Sequence, residues 1–284
     1  MNEDDLLTEW LNANCGYFYR AGKRLEEYDT PYQHLEVYDT PEVGRLFRLD
    51  GCFMTSEKEE FFYHENLIHP VAVAHSAPRR ALIIGGGDGG SSEELLKHKG
   101  IQSVTLVELD QAVVDISKKY FHAVHQNVFD DPRLKLHIAD GMAFVRETSE
   151  RFDLIALDLP DPIGPATELY TQEFFASCKR VLNPGGAMSL HVGSPISRPN
   201  RVRDNVVNLK KVFKIVRPYL VYIPLYGSLW GMACVSDSLD PVALAPEEVE
   251  RVLKDRRIAD LRYYNGPTHQ AVFALPNFVR RITS

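Results

Sequence analysis

The stretch that decides the fold is Ala81-Leu-Ile-Ile-Gly-Gly-Gly-Asp-Gly-Gly-Ser-Ser-Glu-Glu-Leu-Leu-Lys-His98. Its apolar start, Ala81 to Ile84, reads as a short buried strand, and Ser91 to His98 reads as a helix. Ser91 with Glu94 three residues later has the form of a capping box and predicts where that helix begins. Between them, Gly85, Gly87 and Gly90 fit G-x-G-x-x-G, in which missing side chains let the backbone approach a ligand. Such a string is weak alone. Its strand–turn–helix setting points to a nucleotide or nucleoside site rather than a mere tight turn.

Working outward, the same alternation continues. Gly100 ends the helix, Val104 to Val107 is the next strand, and Gln111 to Tyr120 the next helix. Strands are predicted at Leu134 to Ile138, Asp153 to Leu157 and Ala187 to Val192. Helices are predicted at Thr171 to Leu182, closed by Asn183-Pro-Gly-Gly186, and around Arg203 to Phe213. Two β-rich segments follow, Tyr219 to Pro224 and Trp230 to Val235. The pattern implies an α/β fold, a parallel sheet covered by helices with antiparallel pairing near its end. Upstream the texture differs. Gly16 to Phe53, with turn signals at Asp29-Thr30-Pro31 and Asp39-Thr40-Pro41, reads as a small antiparallel sheet, and Glu57 to Ile68 as a helix. A division at 1–56 and 57–284 is therefore expected.

Composition excludes several classes. The 284 residues carry 32 Lys and Arg against 39 Asp and Glu, a net charge of -7, and the basic pairs are isolated, so nucleic acid is not an expected partner. Met1 to Leu11 is acidic, with no basic n-region ahead of an apolar core, so no secretory leader is expected. No run approaches the roughly 18 apolar residues of a membrane span. Cys15, Cys52, Cys178 and Cys234 are scattered without a C-x-x-C pair, which suits reduced thiols in a cytoplasmic protein. The 10 histidines form no H-E-x-x-H, and no metal is expected.

Carboxylates at predicted strand ends carry the chemistry. Glu108 closes the strand after the glycine turn, where an acid usually holds ribose hydroxyls, and Asp140-Gly141 follows the third strand, placed to reach an adenine edge. Asp110 reads as an N-cap. Asp88, inside the glycine turn, would repel a pyrophosphate, which argues against NAD and nucleoside triphosphates and for an S-adenosyl ligand. An anionic Asp88 facing the ligand tail would attract an amine and repel a carboxylate, favouring decarboxylated S-adenosylmethionine over S-adenosylmethionine. Asp158-Leu-Pro-Asp161 lies at the end of another strand, where open α/β sheets bind ligands, although Asp before Pro is also common in turns. An amine must lose a proton before it attacks, so Asp158 is the candidate general base and Asp161 the candidate anchor for a cation. The Pro- and Gly-rich segment from Asp161 to Thr171, with Pro162 and Pro165, has the composition of a gating loop.

Leu49-Asp-Gly51, Tyr63-His-Glu65, Leu82 to Gly90, Val107-Glu-Leu-Asp110, Asp130-Asp-Pro-Arg133, Asp158 to Pro165 and Arg262-Tyr-Tyr-Asn265 together resemble the polyamine aminopropyltransferase (spermidine synthase) family, in order from about Tyr32 to Val279. The resemblance implies an S-adenosylmethionine-methyltransferase-like Rossmann fold behind a small N-terminal antiparallel β-sheet domain, usually in a homodimer or homotetramer. It also implies transfer of an aminopropyl group from decarboxylated S-adenosylmethionine, a co-substrate with no further cofactor, to a polyamine such as putrescine. By position, Gln33, Asp88, Glu108, Asp140 and Gly141 would bind the donor, with Gly85 and Gly87 in its turn. Asp158 would be the base, and Tyr63, Asp161 and Tyr226 would line the amine site. His64 would touch the donor tail or hold a structural hydrogen bond, and Trp10 would close over the acceptor or pack the N-terminus. Departures from the family pattern stand at His34, Met54, Glu59, Leu159-Pro160 and His191. Leu159-Pro160 resembles the apolar loop of relatives taking agmatine or longer polyamines, and a protonated His191 would disfavour a dication. An S-adenosylmethionine methyltransferase and a catalytically silent polyamine- or nucleoside-binding protein are the alternatives from other classes.

Overall fold

The computed structural model describes residues 6–161 and 164–284. Two small antiparallel sheets come first. One is the hairpin β1 (Leu6–Asn12) and β2 (Cys15–Arg20); the other has the order β3 (Lys23–Asp29), β4 (His34–Thr40), β5 (Gly44–Leu49), β6 (Cys52–Ser56). The antiparallel reading holds, but the hairpin begins before the predicted Gly16. Leu49-Asp-Gly51 is the turn between β5 and β6, with Asp50 and Gly51 both at positive φ, as a tight hairpin requires.

Next comes α1 (Phe61–Ala74), which starts later than the predicted Glu57 and continues through Pro70. The alternating part follows as β7 (Arg80–Gly85), α2 (Gly90–Lys97), β8 (Ser103–Glu108), α3 (Gln111–Tyr120), α4 (His122–His125), β9 (Leu134–Ile138), α5 (Gly141–Glu147) and β10 (Phe152–Asp158). Then come α6 (Gln172–Arg180), β11 (Leu182–Gly193), α7 (Pro199–Val212), β12 (Ile215–Ile223), β13 (Ser228–Ser236), α8 (Pro246–Asp255), α9 (Gly266–Val272) and α10 (Asn277–Thr283). Pro162 and 163, within the predicted gating segment, lie outside the described residues; Gly164–Tyr170 forms a 3-10 turn.

Seven strands make one sheet in the order β12-β13-β11-β10-β7-β8-β9. The pairs among β11, β10, β7, β8 and β9 are parallel, while β12 and β13 add antiparallel strands at one edge, as the sequence pattern predicts. The fold is Rossmann-like. Central strands buried on both faces need continuous apolar runs, and Ala81 to Ile84 and Leu154 to Leu157 supply them. Side chains of β7 alternate between two cores. Ala81 and Ile83 pack with Leu67, Ile68 and Val71 of α1, while Leu82 and Ile84 pack with Phe174 and Phe175 of α6. A third core joins Leu35, Val37 and Phe47 of the N-terminal sheet to Val113 and Ile116 of α3.

Chain order reverses at β7. From it, β8 and β9 run to one side and β10 and β11 to the other, so the carboxyl ends of β7 and β10 flank a topological switch point. Among the described residues, the four cysteines are unpaired and no helix is long and apolar enough to cross a membrane.

Candidate active site

The register of β7 and β10 sets Asp158 opposite Gly85. At φ +77, with a would-be Cβ 2.1 Å from the Asp158 carbonyl, Gly85 admits no larger residue. The turn then folds on itself. Asp88 accepts from the Gly90 N–H at 3.1 Å, and the Gly87 N–H donates to Glu108 at 3.1 Å. A Cβ on Gly90 would lie 2.3 Å from the His64 ring, so a glycine here lets α1 approach the start of α2.

The capping box is a correction. The residue at the helix start is Gly89, and the Ser91 hydroxyl instead donates to Asp158 at 2.7 Å. Glu94 turns away to accept from Lys97 and pair with His69 at 2.9 Å, and His69 in turn contacts His98 at 3.1 Å. Arg256 donates to the carbonyls of Ala72, His75 and Ser76 and so ties down the end of α1. These buried polar contacts brace α1 against α2 behind the site.

His64 is the hub. Its Nδ1 lies 2.9 Å from Glu60, and its Nε2 lies 3.3 Å from Asp88 and 4.0 Å from Asp158. Burial favours the neutral ring, yet Asp88, Glu60 and Asp158 outweigh it and hold the imidazole protonated well above its ordinary range. Burial likewise opposes charge on Asp88, but His64 and the Gly90 N–H hold its carboxyl below the usual value. Asp158 ends differently. Burial, with Asp88 nearby, pushes it up to about 6 despite the opposing pull of His64, Ser91 and Tyr63. His64, Asp88 and Asp158 offer ligand atoms within 4.8 Å of one another, a geometry a cation could use. A protonated imidazole has no lone pair for a metal, so the cluster as it stands suits an organic cation better.

Beside this cluster lies an aromatic wall. Ring centroids of Tyr63 and Tyr226 are 6.0 Å apart, Tyr226 and Trp230 5.0 Å, and His191 and Trp230 6.0 Å. Tyr226 donates to the Met54 carbonyl at 2.9 Å, so the departure at Met54 contributes its backbone there. His191 lies 2.8 Å from the Leu159 carbonyl and 2.6 Å from the Tyr170 hydroxyl. Burial lowers the His191 pKa against the opposing pull of Asp161, which works against a protonated, repelling His191. Leu159 packs its side chain into the core with Phe174 and Phe175, so this departure meets the site through its carbonyl. Asp161 is ion-paired to Arg201 at 2.6 Å.

On the other side of the glycine turn, burial pushes Glu108 up to about 7, held back by the N–H groups of Asp110 and Gly87. Asp110 caps α3 through Ala112, as expected, and also accepts from Gln33 at 3.0 Å, while its own N–H donates to Glu108 at 2.9 Å. Asp140 accepts from the Met142 and Ala143 N–H groups at the start of α5, and Gly141 packs against Ile84. Asp140 is exposed and makes no hydrogen bond to the other predicted site residues.

His34 and Glu59 lie on the N-terminal side, His34 paired with Asp29 at 2.7 Å and Glu59 raised by burial beside Tyr19. Trp10 is 66% exposed on the outer face of β1. Its neighbour Glu9, unsuspected from the sequence, faces inward: it accepts from the Phe53 N–H at 2.5 Å, and burial raises it to about 7 within the field of Asp161. The signal was strand alternation, since Leu7 and Glu9 share a face of β1 and Leu7 is buried.

A doubly wound sheet with a glycine turn at its switch point, acids at its strand ends and aromatic rings beside them has the architecture of a nucleoside-binding α/β enzyme. The model of the spermine/spermidine synthase domain matches residues 60–250. A polyamine aminopropyltransferase of Nitrosomonas europaea is 46% identical over 281 residues, 99% of this chain and 86% of that protein. Polyamine aminopropyltransferase 1 of Pseudomonas aeruginosa is 40% identical, covering 95% of each. A spermidine synthase solved with the transition-state analogue AdoDATO superposes with a TM-score of 0.93 at 34% identity, covering 99% of this chain and 96% of that one. The spermidine synthase of Thermotoga maritima gives 0.89 at 33%, covering 99% and 95%. The chain belongs to the spermine/spermidine synthase family and is a transferase of the polyamine aminopropyltransferase kind.

Proposed function

We propose that the protein transfers the aminopropyl group of decarboxylated S-adenosylmethionine to putrescine, giving spermidine and methylthioadenosine. The observation that carries this reading is the His64–Asp88–Asp158 cluster, in which two largely shielded carboxylates share one buried imidazolium. Together they leave the cleft net negative, matched to a donor that carries a sulfonium and an amine. Asp88 holds that amine and disfavours a carboxylate in its place; Glu108, supported by Gln33 through Asp110, takes the ribose, and Asp140 with Gly141 the adenine side.

In the reaction, the acceptor nitrogen attacks the methylene carbon bonded to sulfur. A C–N bond forms, the C–S bond breaks, and its electron pair leaves on sulfur as a neutral thioether. Asp158 takes the proton that frees the nitrogen lone pair. An alkylammonium titrates near 10.4 in water, so transfer to a base at about 6 costs about 6 kcal/mol before the site acts. Desolvation between aromatic rings, next to the donor's sulfonium, lowers that cost by disfavouring the charged amine. In-line placement of the reactants then contributes much of the acceleration. Tyr63 and Tyr226 flank the acceptor, and Asp161 faces its second nitrogen.

The cytoplasmic setting and a homodimer or homotetramer belong to the same proposal. Calorimetry tests its donor half: decarboxylated S-adenosylmethionine should bind at least tenfold tighter than S-adenosylmethionine, and Asp88→Asn should narrow the gap. An equal affinity for both in the unaltered protein would return methyl transfer to the front.

A further inference from the structure

Asp161 is not a free carboxylate. Arg201, in the first turn of α7, places Nη1 2.6 Å from its Oδ2, and the two side chains are only 19% and 27% exposed. The end of β11 makes room for this contact. Gly193, at φ +95 beside a shift in strand register after His191, supports the Arg201 stem, and a Cβ there would lie 3.2 Å from Arg201 Cδ. Asp161 Oδ1 is buried with no hydrogen-bond partner among the described residues.

The charges form a sequence. Asp88 and Asp158 flank His64, and Asp161, three residues further along the chain, is paired to Arg201. Asp158 faces the β7 side of β10, opposite Gly85 and bonded to Ser91, whereas Arg201 reaches Asp161 beside Gly193 at the end of β11, on the other side of β10, so its charge lies away from the glycine turn. Glu9, which lies within the field of Asp161, already accepts from the Phe53 N–H. An acceptor whose first nitrogen meets Asp158 and whose second meets Asp161 ends against a permanently charged guanidinium. A third ammonium would continue into that field.

We infer that Arg201 sets the length of the acceptor: by sharing Asp161 and standing behind it, Arg201 selects amines with two nitrogens and rejects longer polyamines. The inference rests on the aminopropyl-transfer reading and decides, within it, between a diamine and a triamine.

The test compares kcat/KM for putrescine and spermidine in the unaltered protein and in the Arg201→Met, Arg201→Gln and Arg201→Lys variants, with donor affinity measured in each by calorimetry. Arg201→Met and Arg201→Gln should raise the spermidine-to-putrescine ratio about tenfold, the scale of one charge contact in a partly buried site, chiefly through KM. Arg201→Lys should keep the ratio within about threefold, because the charge remains. Donor affinity should not move, which separates an acceptor effect from a damaged fold. If both neutral variants bind donor and turn over with an unchanged ratio, Arg201 is only a structural partner of Asp161 and the inference is overturned. If the unaltered protein transfers aminopropyl to no amine, the underlying reading fails and takes the inference with it.

Discussion

Replacing Asp158 by Asn separates its charge from its shape. The Asp158 side chain is only 10% exposed, and its carboxyl is raised from an ordinary 3.8 to about 6. A raised acid binds its proton more tightly in the folded state, so its contribution to stability is greatest at low pH and is lost as pH rises through about 6. The rise, already net of the opposing pull of His64, corresponds to about 3 kcal/mol by pH 8. An amide keeps the size and still accepts from Ser91, but never ionises. The Asp158→Asn variant should therefore gain stability relative to the unaltered protein as pH increases, from near parity at pH 4.5 to a melting temperature about 5 °C higher at pH 8. Transfer should fall by about 10²–10⁴, the usual loss for a general base, while donor binding persists. Thermal unfolding of the ligand-free proteins across that pH range, with transfer rates at pH 8, is the assay. A stability difference that does not vary with pH would refute the burial account of Asp158, and near-normal turnover would remove it as the base.

Ser91→Ala deletes the hydroxyl that helps keep Asp158 ionised, so the acid limb of kcat/KM, expected near pH 6, should move to higher pH; an unmoved limb would show that Ser91 does not tune the base. Glu108→Gln should weaken donor binding about tenfold or more by calorimetry. Because Glu108 titrates at about 7, donor affinity of the unaltered protein should fall below that pH, and this dependence should vanish in the Gln variant. Gly90→Ala drives a methyl into the His64 ring and should cost about 1–3 kcal/mol in urea unfolding, together with loss of donor binding.

Much of the catalytic half was legible because its signals are short-range. Buried runs such as Ala81 to Ile84, glycines at a strand end and acids closing strands each follow from local backbone demands. Residues that meet across the fold were harder. Ser91 and Glu94 had the spacing of a capping box, but the tertiary contacts of each, to Asp158 and to His69, override the local option. His191 looked like a possible cation until its burial against Tyr170 and Trp230 was visible. Glu65 stands in the Tyr63-His-Glu65 motif, yet its carboxylate accepts from the N–H groups of Arg262, Tyr263 and Tyr264, joining two matched motifs through structure rather than catalysis. Glu9 and Arg201 sit on elements whose starts were misplaced or missed, and no local pattern tells which carboxylate a distant arginine will find.

The most direct measurement is an aminopropyl-transfer assay on the purified protein. Decarboxylated S-adenosylmethionine would be offered with putrescine, agmatine, cadaverine and spermidine in turn, following methylthioadenosine and the amine product. Methylthioadenosine and spermidine formed in equal amounts, fastest with putrescine, is the predicted result. Tight donor binding without product from any amine would contradict it.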